Sequence, residues 1–231
     1  MDPQELPLPP YLQVFFSRRK ITQFTPVQQK ALTAGVREGT SLLVCSPTAS
    51  GKTLIATLAI STALEAHGKA IYLVPLKALA SEKFLEYQEL FKETPYSTVR
   101  GTGDVDDSPH YYGKYDLLIL TVEKLDALLR HGCPWLPDVK TVIIDETHLL
   151  NDPKRGPTLE IVITLLKTLI QPQFIALSAT IGNPQELANW LGATLVTDSW
   201  RPVQLKHGVY YNKETEFFPA RLANQPEKPL K

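Results

Sequence analysis

The chain has 231 residues, with 24 basic and 24 acidic side chains and a formal net charge of zero. That length supports one sizeable core, and the balanced charge excludes a uniformly basic surface while leaving room for a local basic track. Cys45 and Cys133 are the only cysteines and lack CxxC spacing, so neither a disulfide framework nor a zinc site is expected.

The opening MDPQELPLPP has neither the basic nor the apolar segment of a signal peptide. No apolar run approaches the roughly 18 residues that span a bilayer. A cytoplasmic protein with no membrane partner is expected. Residues 1–22 read as a lead-in with one short helix near Tyr11–Arg19. Strands are predicted at Ser41–Cys45, Ala70–Val74, Thr98–Gly101, Asp116–Thr121, Thr141–Asp145, Phe174–Ser178 and Thr194–Val196. Most are apolar at both alternations, as in a parallel sheet covered on both faces. Between them the spacing predicts helices at Thr53–Ala66, Leu76–Phe91, Pro157–Ile170 and Pro184–Leu191. Pro157 sits at a first-turn position, and Leu159, Val162, Leu166 and Leu169 form one stripe. Asn183 is a candidate N-cap with Glu186 three residues on, and Gly192 follows as a stop. Beyond Val203 the chain becomes charged and proline-containing and reads as linker or tail. Strand–helix repetition implies an α/β fold with right-handed crossovers.

Two strings carry chemistry. Ser46-Pro47-Thr48-Ala49-Ser50-Gly51-Lys52-Thr53 follows one predicted strand and opens a helix, the setting a phosphate-binding loop requires. Backbone N–H groups of the loop and the helix N-terminus can face phosphates. Gly51 permits close approach, Lys52 supplies a point charge, and the Thr53 hydroxyl can ligate Mg²⁺. Ser46 stands where the generic pattern has its first glycine. Further on, Asp145 and Glu146 end an apolar strand, at the edge where such sheets bind ligands. Asp145 can hold Mg²⁺, and Glu146 can orient or deprotonate an attacking water. An isolated Asp-Glu pair reads first as a cap on the following helix; the upstream loop puts the catalytic reading ahead. No second ligand at metal spacing accompanies His148, so zinc is not expected.

With these residues in order, the chain resembles superfamily-two helicases of the DExH kind. Gln28 in Phe24-Thr25-Pro26-Val27-Gln28 is similar to the Q motif, and SPTASGKT to motif I. Pro75-Leu76-Lys77-Ala78-Leu79-Ala80, Thr102-Gly103-Asp104 and Thr121-Val122-Glu123-Lys124 resemble the nucleic-acid motifs. Asp145-Glu146-Thr147-His148 resembles motif II and Ser178-Ala179-Thr180 motif III, with histidine arguing against the strict DEAD-box group. PLKALASEK, Arg155-Gly156-Pro157-Thr158-Leu159-Glu160 and LSATIGNPQELANWLG are similar to the Ski-type branch, most of all to archaeal DNA helicases acting at stalled forks.

The resemblance implies a RecA-like ATP-binding domain over residues 23–203, with 204–231 leading toward a second such domain. It implies that Gln28 selects adenine and that Thr48, Ala49, Ser50, Gly51, Lys52 and Thr53 hold ATP and Mg²⁺. Lys52, Asp145, Glu146 and His148 would serve hydrolysis. Ser178, Thr180 and Arg155, with His148, would couple nucleotide state to nucleic acid. Pro75, Lys77, Thr102, Gly103, Asp104, Thr121 and Lys124 would line a track for single-stranded or forked nucleic acid. Lys77 and Lys124 can contact phosphates without reading bases. Taken alone, each lysine reads first as a solvated surface charge, and for Arg155 a structural ion pair competes; the motif order is what favours the track. The resemblance favours DNA over RNA and a 3′-to-5′ direction.

No second strand–helix series and no QxxRxGR-like string is present, so the cleft is expected to have one wall. An arginine finger supplies roughly 10³–10⁵ in rate, and translocation needs two domains that close. This chain is therefore expected to be the ATP-binding half of a helicase, unable to unwind alone. A non-catalytic nucleic-acid-binding module and a P-loop kinase are the competing classes. Intact Lys52, Thr53, Asp145 and Glu146 disfavour the first, and the absence of a lid signature disfavours the second.

Overall fold

A computed structural model describes residue 3 and residues 6–103, 108–179, 181–203, 208–211 and 214–217. Two compact units divide at Trp200/Arg201. The first is a seven-stranded sheet whose pairings are all parallel, in the order β3-β4-β2-β5-β6-β1-β7. Its strands are β1 (Leu42–Cys45), β2 (Lys69–Val74), β3 (Thr98–Gly101), β4 (Leu117–Thr121), β5 (Val139–Ile144), β6 (Gln173–Ser178) and β7 (Thr194–Thr197). The predicted strands are all found, within two residues at each end.

The two-residue period of a strand sorts the core into two halves. On one face lie Leu43, Ile71, Leu118, Val142 and Ala176. Their neighbours Leu42, Ala70, Leu117, Ile143 and Ile175 lie on the other. Both faces are covered, which is why most strands carry apolar residues at both alternations. The second face receives α2 (Pro26–Thr33), α3 (Lys52–Glu65) and α4 (Lys77–Leu90). The first receives α6 (Val122–His131), α7 (Gly156–Leu169) and α8 (Pro184–Leu191). The lead-in helix α1 (Pro10–Arg18) buries Leu12 and Phe16 against Phe24, Leu54 and Leu58. Helix α5 (Pro109–Tyr112) precedes β4.

Several elements depart from the sequence reading. Helices α2, α5 and α6 were not expected. Helix α6 starts at Val122, directly after the Thr121 that ends β4, with no loop between them: the Thr121 hydroxyl caps the helix by accepting the Lys124 N–H at 3.4 Å. Asn183 precedes α8 but makes no side-chain cap; its amide donates to Glu186 instead. The segment expected as linker contains, in the second unit, an antiparallel pair of strands, β8 (Gly208–Tyr211) and β9 (Glu214–Phe217). Among the described residues no helix is long and apolar enough to cross a membrane.

Candidate nucleotide site

Parallel pairing brings the candidate residues, spread along the sequence, to one edge of the sheet. Cys45 lies opposite Ser178, Leu73 opposite Ile144, and Val74 opposite Thr121. The loop after β1, the acidic pair after β5, the serine ending β6 and the strings after β2, β3 and β4 therefore all emerge at the C-terminal edge, where ligands of open α/β sheets bind.

The loop between β1 and α3 is curled by two left-handed residues, Ala49 at φ 65° and Gly51 at φ 96°. Such a turn points successive N–H groups inward as an anion cradle. It is braced from three sides. Ser46 N–H donates to the Ser178 carbonyl at 3.1 Å, and the Ser46 and Ser50 hydroxyls share a 2.7 Å hydrogen bond. The Thr25 hydroxyl donates to the Ser50 carbonyl at 2.8 Å. Lys52 Nζ donates to the carbonyls of Ser46 at 2.6 Å and Pro47 at 3.0 Å, so its ammonium sits across the mouth of the loop. Thr48 and Ala49 are exposed at the loop tip.

Gln28 is 4% exposed. Its Nε2 donates to the Gly51 carbonyl and its Oε1 accepts the Thr25 N–H, both at 2.9 Å. Both ends of the amide hold protein here, so Gln28 ties the capping box of α2 to the phosphate loop. Each end keeps capacity for a further bond, one N–H and one lone pair.

In the acidic pair, Asp145 Oδ1 accepts the Glu146 N–H at 3.0 Å and Oδ2 accepts the Tyr72 hydroxyl at 3.0 Å. Glu146 adopts φ 52°, ψ 49°, a left-handed conformation that costs a non-glycine residue about 1–3 kcal/mol. The turn is held by Thr147, fully buried, whose hydroxyl lies 3.0 Å from the Ile144 carbonyl and 3.1 Å from that of Leu177. Glu146 and His148 are about 40% exposed, with Glu146 Oε2 3.3 Å from His148 Nδ1. That pair is close but not aligned as a hydrogen bond. Ser178 is fully buried, and its hydroxyl has no hydrogen-bond partner among the described residues.

The nucleic-acid strings divide. Lys77 is exposed at the start of α4, Pro75 and Thr102 are half-buried, and Gly103 is exposed. Thr121 and Lys124 differ from the expectation of a contact surface: they are 3% and 5% exposed. Thr121 caps α6, and the Lys124 ammonium lies 5.6 Å from the Tyr112 ring centre. A buried ammonium cannot reach a phosphate backbone without leaving that ring. Arg155 makes the structural ion pair, 3.3 Å from Asp152. It also lines a small cavity with Pro75 and Asp145, between the track strings and the acidic pair. Asp104 and Thr180 lie outside the described residues.

Three residues of the site went unassigned from sequence: Thr25, Tyr72 and Lys83. A signal existed for each. Thr25 precedes Pro26 and stands three residues before Gln28, a capping-box spacing. Tyr72 is a hydroxyl within an apolar strand, and Lys83 falls on the buried stripe of α4 with Ala80 and Tyr87.

An all-parallel sheet with a phosphate loop and an acidic pair at one edge defines a RecA-like nucleotide-binding domain. The DEAD/DEAH box helicase family matches residues 25–187, and the chain belongs to it. It is 50% identical to the ATP-dependent DNA helicase Hel308 of Pyrococcus abyssi over 208 residues, covering 90% of this chain and 29% of that protein. Hel308 of Thermococcus kodakarensis is 42% identical over 228 residues, 98% of this chain and 20% of that protein. In structure it is similar to the DUF1998 helicase MrfA bound to DNA, with TM-score 0.71 and 31% identity, covering 83% of this chain and 30% of that one. The chain thus spans less than a third of the length of these relatives.

Proposed function

We propose that this chain is the ATP-binding half of an ATP-dependent DNA helicase. ATP hydrolysis would drive translocation on single-stranded DNA, 3′-to-5′, once a second RecA-like domain closes the cleft. In this reading residues 1–22 are a lead-in, 23–203 the motor half, and 204–231 the path toward the second domain. The observation that carries the reading is the braced phosphate loop joined through Ser46 to the end of β6, on the same sheet edge as Asp145 and Glu146. The preference for DNA rests on relatives named as DNA helicases and a structural neighbour bound to DNA.

The residues fit ATP with Mg²⁺. Thr53 and Asp145 offer a hydroxyl and a carboxylate, and Mg²⁺ takes one or two protein oxygens, with phosphates and water completing its shell. The metal would neutralise charge on the β and γ phosphates. Lys52 would exchange its two loop carbonyls for phosphate oxygens. The second N–H of Gln28 and a lone pair of its carbonyl oxygen would meet the adenine edge. Glu146 would orient and deprotonate the water, its carboxylate aimed by the left-handed turn that Thr147 secures. His148, Ser178, Thr180 and Arg155 would transmit the nucleotide state; the unpartnered Ser178 hydroxyl supports this, since it has a bond to make in another state. Pro75, Lys77, Thr102, Gly103 and Asp104 would form the strand track, with Thr121 and Lys124 shaping it from within.

Titrating ATP against this chain and its Lys52→Ala variant tests the site. A large loss of affinity is expected, and equal affinity would remove the phosphate-loop assignment. In the two-domain parent, ATP turnover should rise with single-stranded DNA. Stimulation by RNA alone would move the reading to an RNA helicase.

A further inference from the structure

Both oxygen donors of the proposed cation site are held from behind by buried side chains, Tyr72 and Lys83, to which the sequence reading assigns no role. Tyr72, in the middle of the sheet on β2, is fully buried, and its hydroxyl donates to Asp145 Oδ2 at 3.0 Å. Lys83, on α4, is 7% exposed. Its ammonium lies 3.0 Å from Glu86 Oε2 and 3.4 Å from Thr53 Oγ1, and 6.0 Å from the Tyr72 ring centre. A hydroxyl and an ammonium are costly to bury, and an apolar pair would fill this space at lower cost. Their bonds converge on the two residues that offer oxygens to a cation.

We propose that Tyr72 and Lys83 are positioning residues that fix the Asp145 carboxylate and the Thr53 hydroxyl in the orientation the nucleotide-bound divalent cation requires. Tyr72 and the Glu146 N–H each occupy one lone pair of the Asp145 carboxylate, one on each oxygen. The carboxylate cannot rotate, and its remaining lone pairs point in fixed directions. Lys83 occupies one lone pair of Thr53 Oγ1 and leaves the other. Thr53 is held a second time through its carbonyl, which accepts the Thr57 hydroxyl at 3.0 Å; that hydroxyl shares a 3.1 Å bond with Tyr87 of α4. Helix α4 and strand β2 thereby set the geometry of a site whose ligands lie on α3 and after β5. The inference rests on the metal reading of Thr53 and Asp145.

The test is binding of a fluorescent ATP analogue to the full 231-residue chain, titrated with Mg²⁺ and repeated in EDTA. The variants are Tyr72→Phe and Lys83→Met, with Asp145→Asn as reference. Loss of an outer partner of a metal ligand lowers metal affinity about 10–100-fold. The Mg²⁺ midpoint should rise by about that factor in both variants, with affinity in EDTA unchanged. Lys83→Arg should restore part of the loss. An Asp145→Asn shift with Tyr72→Phe and Lys83→Met at the wild-type midpoint overturns this inference alone. An unshifted Asp145→Asn overturns the metal reading beneath it. Equal loss with and without Mg²⁺ assigns the pair to folding and also overturns the inference. Tyr72→Phe removes one hydroxyl and keeps the ring, so it carries the test if Lys83→Met does not fold.

Discussion

Gly51→Ala separates two costs that meet at one position. At φ 96° an added Cβ would lie 2.2 Å from Gln28 Nε2 and 3.2 Å from Gln28 Cδ. The left-handed backbone alone costs a residue with a Cβ about 1–2 kcal/mol. Relieving the overlap means expelling the Gln28 amide, which loses its bonds to the Gly51 carbonyl and the Thr25 N–H. Each is worth about 0.5–1.5 kcal/mol. The sum is a destabilisation of about 2–5 kcal/mol, read from the urea midpoint at unchanged slope. Gly39→Ala supplies the comparison: its φ is 84°, and an added Cβ meets nothing within 4 Å. It should cost only the backbone contribution, about 1–2 kcal/mol. Equal destabilisation by the two variants would show that Gln28 moves without cost and would refute its role as a brace.

Ser178→Ala should leave stability unchanged or raise it by about 1 kcal/mol, because it removes a buried hydroxyl that lacks a partner; Thr147→Val should cost about 1–3 kcal/mol, because it deletes the donor to two strand carbonyls. Thermal melts of the two variants compare them directly, and a reversed order would contradict the assignment. Glu146→Gln in this chain joined to a second RecA-like domain should keep ATP affinity and lower turnover by about 10²–10⁴-fold, measured as kcat beside Kd; unchanged kcat would take the base role from Glu146. Burial pushes the Cys133 thiol from 9.0 up to about 11. At pH 8 its thiolate population should be about 100-fold smaller than that of an unperturbed thiol, so alkylation followed by mass spectrometry should be slow in the fold and fast in urea. Preference for the neutral thiol stabilises the fold below pH 9 and is lost as the pH climbs toward 11.

What the sequence determined by itself was the layered α/β fold, the strand positions and the placing of the glycine–lysine–threonine turn and the acidic pair at strand ends. These follow from local signals: short runs apolar at both alternations, a glycine–lysine–threonine turn between strand and helix, and carboxylates at a strand end. Only the tertiary structure decided the rest. Lys124 and Lys77 look alike in sequence, yet one is buried over Tyr112 and the other is exposed, because burial depends on what packs above a helix. Tyr72 and Lys83 became part of the site because parallel pairing sets Leu73 beside Ile144 and α4 against α3. Contacts between residues 73 positions apart, such as Tyr72 with Asp145, leave no periodic trace in a chain; they exist only once the sheet has formed.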